Sequence, residues 1–285
     1  MDIAARYAEQ LETTVETMRR RGIAIYDTTI SMGQRSVRLA DKIREIVEPA
    51  AYDVSDAVTS AVQEMSPLDP AEKDMRNSLL ELYLGCSVLS IGLSAGEISG
   101  AFALAPLLAK IFDTWAEVVL MFIIPYYVYL ILRKNAALDE TERRVILFSF
   151  AMCIGNLGGH LLGRRMASVA PAVAFVHPMI LGLAVDTEVS PPGLYSNRKS
   201  LLSIAASFSL GISIILASLQ GISFAVMLSL ILSAIFIAVH FQVVVYQMSN
   251  KAYGAGEAQL AYLIGTFIIQ FITAALLGVA TDDTA

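Results

Sequence analysis

Charge is scarce in this sequence. Only 16% of its 285 residues are Asp, Glu, Lys or Arg, against about 25% in an average soluble domain. The shortage is uneven, because residues 1–78 hold ten of the 20 basic and 14 of the 26 acidic residues. This excludes an ordinary soluble domain over most of the length. The pattern predicts water around the first quarter and lipid around the rest.

Basic charge and cysteine are also in short supply. The net charge is −6, and without a basic patch to neutralise phosphates a nucleic-acid partner is excluded. The two cysteines, Cys86 and Cys153, both lie inside apolar runs. A disulfide framework is therefore not expected, and each cysteine is predicted to pack as a small apolar residue. The first 20 residues contain no short apolar block of the kind a cleavable signal needs.

Long apolar runs fill the remainder of the chain. A helix needs about 20 apolar residues to cross a bilayer, and continuous runs favour helices over the alternating pattern of membrane β-strands. The candidate spans are 79–103, 115–133, 144–163, 168–187, 201–219, 222–247 and 259–280. The predicted fold class is therefore all-α, a polytopic bundle of about seven transmembrane helices whose partner is the lipid bilayer.

The fourth run, 168–187, is the weakest of these spans. His177 and Pro178 lie inside it, and Asp186 lies near its far end. Either it crosses the membrane or it is a broken or re-entrant segment. Lipid tolerates such a segment only where protein or a water-filled cavity covers the backbone.

Residues 1–78 are predicted to form a cytoplasmic helical arm, and residues 79–285 the transmembrane domain. Apolar residues recur at helical spacing over 2–20 and about 36–64. Such an arm either packs on itself or a protein partner, or lies on the membrane surface as an amphipathic helix.

The orientation follows from Lys and Arg near the span ends. Nine of these residues flank one side and three the other, and the richer side is usually cytoplasmic. The N-terminus is therefore predicted to be cytoplasmic. The tail lies on the opposite side if all seven runs cross, and returns to the cytoplasm if one of them is re-entrant.

Two glycine series recur at four-residue spacing inside the first and third spans. Small residues one turn apart let helices approach closely, and close packing is what holds helices together in lipid. Both series are predicted to be helix-packing grooves, with a dimer contact as the alternative. The residues are Gly92, Gly96, Gly100, Gly155, Gly159 and Gly163.

Several polar side chains fall within the apolar runs. An ionisable group at mid-membrane is costly, so it marks a candidate functional site. For each histidine the alternatives are an interhelical hydrogen bond and a role in proton or ion passage. Glu117 and Glu188 fall near span ends and are expected to be solvated. The candidate intramembrane site comprises Glu97, Asn156, His160, His177, Asp186 and His240.

Two local strings resemble a known family. Glu140-Thr141-Glu142-Arg143-Arg144 precedes the third span, and Leu194-Tyr195-Ser196-Asn197-Arg198-Lys199 precedes the fifth. Over residues 79–280 the chain resembles the Bax inhibitor family, the transmembrane Bax inhibitor motif proteins. The resemblance implies a compact seven-helix bundle in the endoplasmic reticulum or another endomembrane. It also implies suppression of cell death and a pH-sensitive calcium leak, attributed to one aspartate late in the sixth span and another in the seventh.

The chain departs from this family at the aspartate pair. Gln270 matches the second aspartate, and Gln247 or Gln242 matches the first. Between Val189 and Thr281 there is no aspartate, and Glu257 is the only acid. Glutamine forms hydrogen bonds but does not titrate. The two glutamines are therefore expected to form a neutral contact between the last two helices, and the family's pH-gated leak is expected to be absent.

These observations predict a Bax-inhibitor-like membrane protein that regulates cell survival or organelle ion balance, acting through protein partners of the arm. The alternative is an ion channel or leak that uses other acids, with Glu97 and Asp186 as first candidates and calcium or protons as the ions. An enzyme is not expected, and neither is a cofactor. The three histidines lie on three different spans and no His-Glu-x-x-His is present, whereas metal sites usually draw ligands at close spacing.

Overall fold

The computed structural model describes most of the apolar part of the chain. The chain divides into two compact units, residues 1–59 and 60–285. Most of the predicted arm, Glu188 and the acidic tail lie outside the described residues. The described ranges are 55–56, 58–64, 73–134, 139–169, 173–186, 189–190, 197–219, 221–250 and 253–279.

Helices make up the second unit, and its described residues contain no strand. From residue 73 onward each helix coincides with an apolar run or with a short link between two runs. In chain order they are α1 Lys73–Ala101, α2 Ala105–Ile111, α3 Thr114–Lys134, α4 Glu140–Leu162, α5 Arg164–Val169, α6 Val176–Val185, α7 Arg198–Ser218, α8 Phe224–Ser249 and α9 Ala255–Leu277.

Six of these helices, α1, α3, α4, α7, α8 and α9, are long and apolar enough to cross a membrane. This confirms the all-α prediction and fits an integral, multi-pass membrane protein. Backbone amides bonded within each helix leave the apolar side chains free to face lipid, which is why such runs fold this way. The predicted count of seven spans is not confirmed.

The fourth run is not one continuous helix. It is divided between the end of α5 and α6, and α6 has ten residues, which gives a length of about 15 Å, half of a hydrocarbon core. Pro178 lies in the first turn of α6, where its missing N–H breaks no helical bond. The turn before α6 is covered by α1, because Ser87 Oγ donates to the Phe175 carbonyl at 3.1 Å.

The helix ends carry local stop and start signals. Asn197 caps α7 by accepting hydrogen bonds from the backbone N–H of Lys199 at 3.0 Å and of Ser200 at 3.3 Å. Ser223 caps α8 by accepting from Val226 N at 3.2 Å. Gly163 ends α4 with φ of 55°, a left-handed conformation that glycine adopts without strain.

The first helix lies at the centre of the bundle. In its apolar window 61% of residues are buried, against 11% in that of α3, so α1 is enclosed by protein while α3 faces outward. α1 packs most extensively against α4 and also contacts α6 and α9. Polar side chains on α1, such as Ser90 and Glu97, are therefore removed from lipid.

Candidate functional site

The two glycine series bring α1 and α4 together. A Cβ built on Gly96 would lie 2.6 Å from the Met152 carbonyl oxygen, and one on Gly155 would lie 2.5 Å from the Leu93 carbonyl oxygen. Gly100 and Gly159 are closer still, against the backbones of Asn156 and Glu97. Because backbone meets backbone, only glycine fits at these positions.

The first glycine of the α1 series, Gly92, and the last of the α4 series, Gly163, do not lie against a neighbouring backbone. Gly92 faces a side chain, since a Cβ there would lie 2.8 Å from the Phe148 ring. Gly163 has no atom within 4 Å of such a Cβ and instead ends α4. The groove therefore consists of Gly92, Gly96 and Gly100 on α1 and of Gly155 and Gly159 on α4.

Glu97 lies within this contact. Its side chain has 0% exposure, and neither carboxyl oxygen has a hydrogen-bond partner among the described residues. The residue is four positions before the end of α1, about 6 Å along the axis. A buried carboxyl without a partner is unusual, because its desolvation is not compensated by any bond.

Asn156 tightens the same helix pair. Its Nδ2 donates to the Met152 carbonyl at 2.8 Å, and its Oδ1 accepts a short hydrogen bond from Ser99 Oγ on α1. Both polar ends of the amide are therefore satisfied. In this position Asn156 joins α1 to α4.

His160 joins α4 to α3. Its Nδ1 lies 2.5 Å from Glu117 Oε1, and the Glu117 side chain is only 1% exposed. The prediction that Glu117 is solvated was therefore wrong. Its place near the start of α3 suggested water, but the end of α4 covers it, and no signal in the sequence gives that pairing.

Breaking this pair is expected to destabilise the bundle. His160→Leu leaves the buried Glu117 carboxylate without a partner, which costs about 3–5 kcal/mol of unfolding free energy. Thermal unfolding in detergent measures the change. The double variant Glu117→Leu/His160→Leu is the control and is expected to recover most of the loss; if it is as unstable as the single variant, the pair is not the cause.

The remaining histidines are bonded elsewhere in the bundle. His240 on α8 accepts from Tyr83 OH at Nδ1, at 3.1 Å, and donates from Nε2 to the Ala258 carbonyl at 3.0 Å. These are interhelical hydrogen bonds, the first of the two alternatives. Tyr83 precedes Glu97 by fourteen residues on α1, about 21 Å along the helix, so His240 and Glu97 do not share one site.

His177 and Asp186 lie at opposite ends of α6. His177 Nδ1 lies 3.4 Å from Ser213 Oγ on α7, and Asp186 is the C-terminal cap of α6. The start of α6 is fixed by the hydrogen bond from Ser87 to Phe175. Ser87 is ten residues before Glu97 on α1, so the start of α6 lies well away from Glu97. Of the six candidates, the structure therefore places Glu97 and Asn156 in the contact between α1 and α4. His160 lies one turn further along α4 and faces α3, and the other three lie apart.

The predicted glutamine contact is absent. Gln242 Oε1 instead accepts from Arg198 Nη1 at 3.3 Å. Because α8 and α9 are antiparallel, the bond from His240 to Ala258 places Gln242 near the turn between them, and Gln270 lies twelve residues beyond Ala258, about 18 Å away along α9. Gln247 lines a groove of about 400 Å³ with Glu257 and His240. Neither glutamine on α8 reaches Gln270.

The expectation of no enzyme assumed that the sequence has no Gly-x-Ser-x-Gly motif, and that assumption is wrong. Gly92-Leu93-Ser94-Ala95-Gly96 matches Gly-x-Ser-x-Gly, in which α/β-hydrolases hold the serine on a sharp strand-to-helix turn. Ser94 instead lies inside the continuous helix α1. The helical setting of Ser94 therefore does not match the turn in which that motif acts.

No group of three or more metal-ligating side chains comes together within the described ranges. No family model, curated protein or solved structure matches the chain. The resemblance to the Bax inhibitor family therefore depends on the strings quoted above and stays a prediction.

Proposed function

We propose that this chain is a Bax-inhibitor-like membrane protein that regulates ion balance across its membrane, and that its own buried acid, Glu97, carries this function. The proposal includes the endoplasmic reticulum or another endomembrane as its location and a cytoplasmic N-terminus. Its ions are protons or metal cations, calcium among them.

The observation that carries the proposal is the burial of Glu97 without a partner. A carboxyl in the membrane interior is costly and is retained where it serves ion or proton movement. The other acid considered, Asp186, caps a short helix and is partly exposed. Glu97 is therefore the better candidate of the two.

A second candidate is a regulator of cell survival that conducts no ions and acts through protein partners of residues 1–78. It is favoured by the side chains at the positions that match the family's aspartates. Gln270 is neutral, and Gln242 is already bonded to Arg198. The family's own latch therefore has no acidic counterpart at these positions.

Flux across reconstituted vesicles separates the two candidates. The purified full chain is placed in liposomes that enclose dyes for protons, sodium or calcium. We expect flux above that of protein-free vesicles, and Glu97→Gln should return it to the protein-free rate because the amide can neither bind a proton nor neutralise a cation.

Glu142→Gln is the matched control, since it makes the same change at an exposed residue in the first turn of α4. It should retain the flux of the parent chain. Silent vesicles for the parent, or equal flux from Glu97→Gln, contradict the role of Glu97. If flux is instead lost in Asp186→Asn, the choice between the two acids is wrong.

A further inference from the structure

Gln270, like Glu97, is a buried polar side chain without a hydrogen-bond partner among the described residues. Its side chain has 0% exposure, and neither its Oε1 nor its Nε2 has a hydrogen-bond partner among the described residues. Buried polar side chains are nearly always bonded. The Ser229 hydroxyl and His177 Nε2 are unpartnered among the described residues as well, so Glu97 and Gln270 call for a common explanation only if they lie at the same depth.

Contacts with helix α4 place Glu97 and Gln270 at the same depth in the bundle. Glu97 on α1 lies against Gly155 and Gly159, since a Cβ on Gly155 would lie 3.0 Å from the Glu97 amide nitrogen. Gly158, on the same turn of α4, faces α9: a Cβ there would lie 2.6 Å from the Phe267 ring and 3.8 Å from Phe271. Gln270 lies between these two phenylalanines in sequence, so it occupies the layer of Glu97.

Within this pair only Glu97 can carry a charge. Neither of its carboxyl oxygens has a hydrogen-bond partner among the described residues, and the amide of Gln270 is neutral. In a low-dielectric interior one carboxylate is balanced by one positive charge, whereas a divalent ion leaves an excess charge that is as costly as the carboxylate itself.

The neighbouring elements also carry titratable side chains. His160 on α4 is bonded to Glu117 of α3, and His177 on α6, which lies apart from Glu97, faces Ser213. The short helix α5 adds Arg164 and Arg165. None of these donates a hydrogen bond to the Glu97 carboxyl within the described part of the chain.

We infer that Glu97 and Gln270 form a site for one monovalent positive charge, either a proton on Glu97 or a sodium ion held by oxygens of Glu97 and Gln270. The amide suits both occupants, because Oε1 accepts from a protonated carboxyl or ligates sodium, while Nε2 donates to the other carboxyl oxygen. The inference deepens the proposed function by naming the class of ion, and it depends on that proposal only for the role of the site in transport.

Infrared spectroscopy of the full chain in detergent tests the inference without any transport assay. Spectra are compared at one pH in sodium buffer and in buffer where a large organic cation replaces sodium. A bound proton predicts the C=O band of a protonated carboxylic acid in both buffers. A bound sodium ion predicts that band only when sodium is replaced. In either case Glu97→Gln removes the band.

Gln270→Leu should shift the frequency of this band, or weaken the effect of sodium on it by about tenfold, a loss of about 1.4 kcal/mol in binding. Gln259→Leu is the matched control, because this buried amide on α9 has its own contact with the Leu82 carbonyl at 3.5 Å and should leave the band in place. Glu97→Asp, which keeps the carboxyl, should move the band and covers the case where Glu97→Gln fails to fold.

The inference is overturned if no band responds to Glu97→Gln and Glu97→Asp in either buffer, or if the band ignores Gln270→Leu. A band that behaves as expected in a chain without flux would contradict the proposed function and leave the site intact. Flux that depends on Glu97 but not on Gln270, with a band that Gln270→Leu does not move, would contradict the site and leave the proposed function intact.

Discussion

Replacing Gly159 by alanine is expected to destabilise the protein by about 1–3 kcal/mol, the range seen when a packed core receives an extra methyl group. The new Cβ would meet the Glu97 carbonyl group and the backbone of Ala101. A backbone atom cannot rotate away as a side chain does, so α1 and α4 must separate. Thermal unfolding of the full chain in detergent measures the loss.

Gly211→Ala is the matched control. Gly211 lies inside α7, and a Cβ there has no atom within 4 Å. The same substitution should keep or raise stability, by at most about 1 kcal/mol, because alanine favours the helix over glycine. Equal losses at both positions would mean that the glycine contact between α1 and α4 does not hold the bundle together.

Replacing Glu97 by methionine is expected to raise stability while abolishing ion flux. An unpartnered buried polar group costs about 1–3 kcal/mol, and an apolar side chain of similar length removes this cost. Such an opposition between stability and activity is common at functional sites. The melting temperature tests the predicted gain in stability, and vesicle flux measured on the same preparation tests the predicted loss of ion movement.

Glu142→Met provides the comparison, since Glu142 is exposed and its replacement should leave both quantities nearly unchanged. A lower melting temperature for Glu97→Met would show that the carboxyl makes a stabilising bond. In that event the carboxyl is held by a bound ion or by a hydrogen bond, and the flux of Glu97→Met vesicles decides between an ion site and a purely structural role.

The residues of the candidate site could be predicted to different degrees. Glu97 could be singled out, because an acid within an apolar run has few structural reasons to be there. Glu117 could not, because its burial depends on the end of α4, which is distant in sequence. The glutamine contact was predicted wrongly, because it depends on the register of two antiparallel helices, and a shift of a few residues moves each side chain by a turn.

The sequence by itself determined that this is an all-helical protein with long apolar helices, since lipid requires each run to satisfy its own backbone hydrogen bonds. It also determined where small residues leave grooves, because their spacing matches the helix turn. Only the tertiary structure decided which grooves meet, that the fourth run is broken, and that Glu97 and Gln270 share a layer. Those outcomes depend on the rotation and depth of each helix against its neighbours, which an apolar run leaves free until packing selects them.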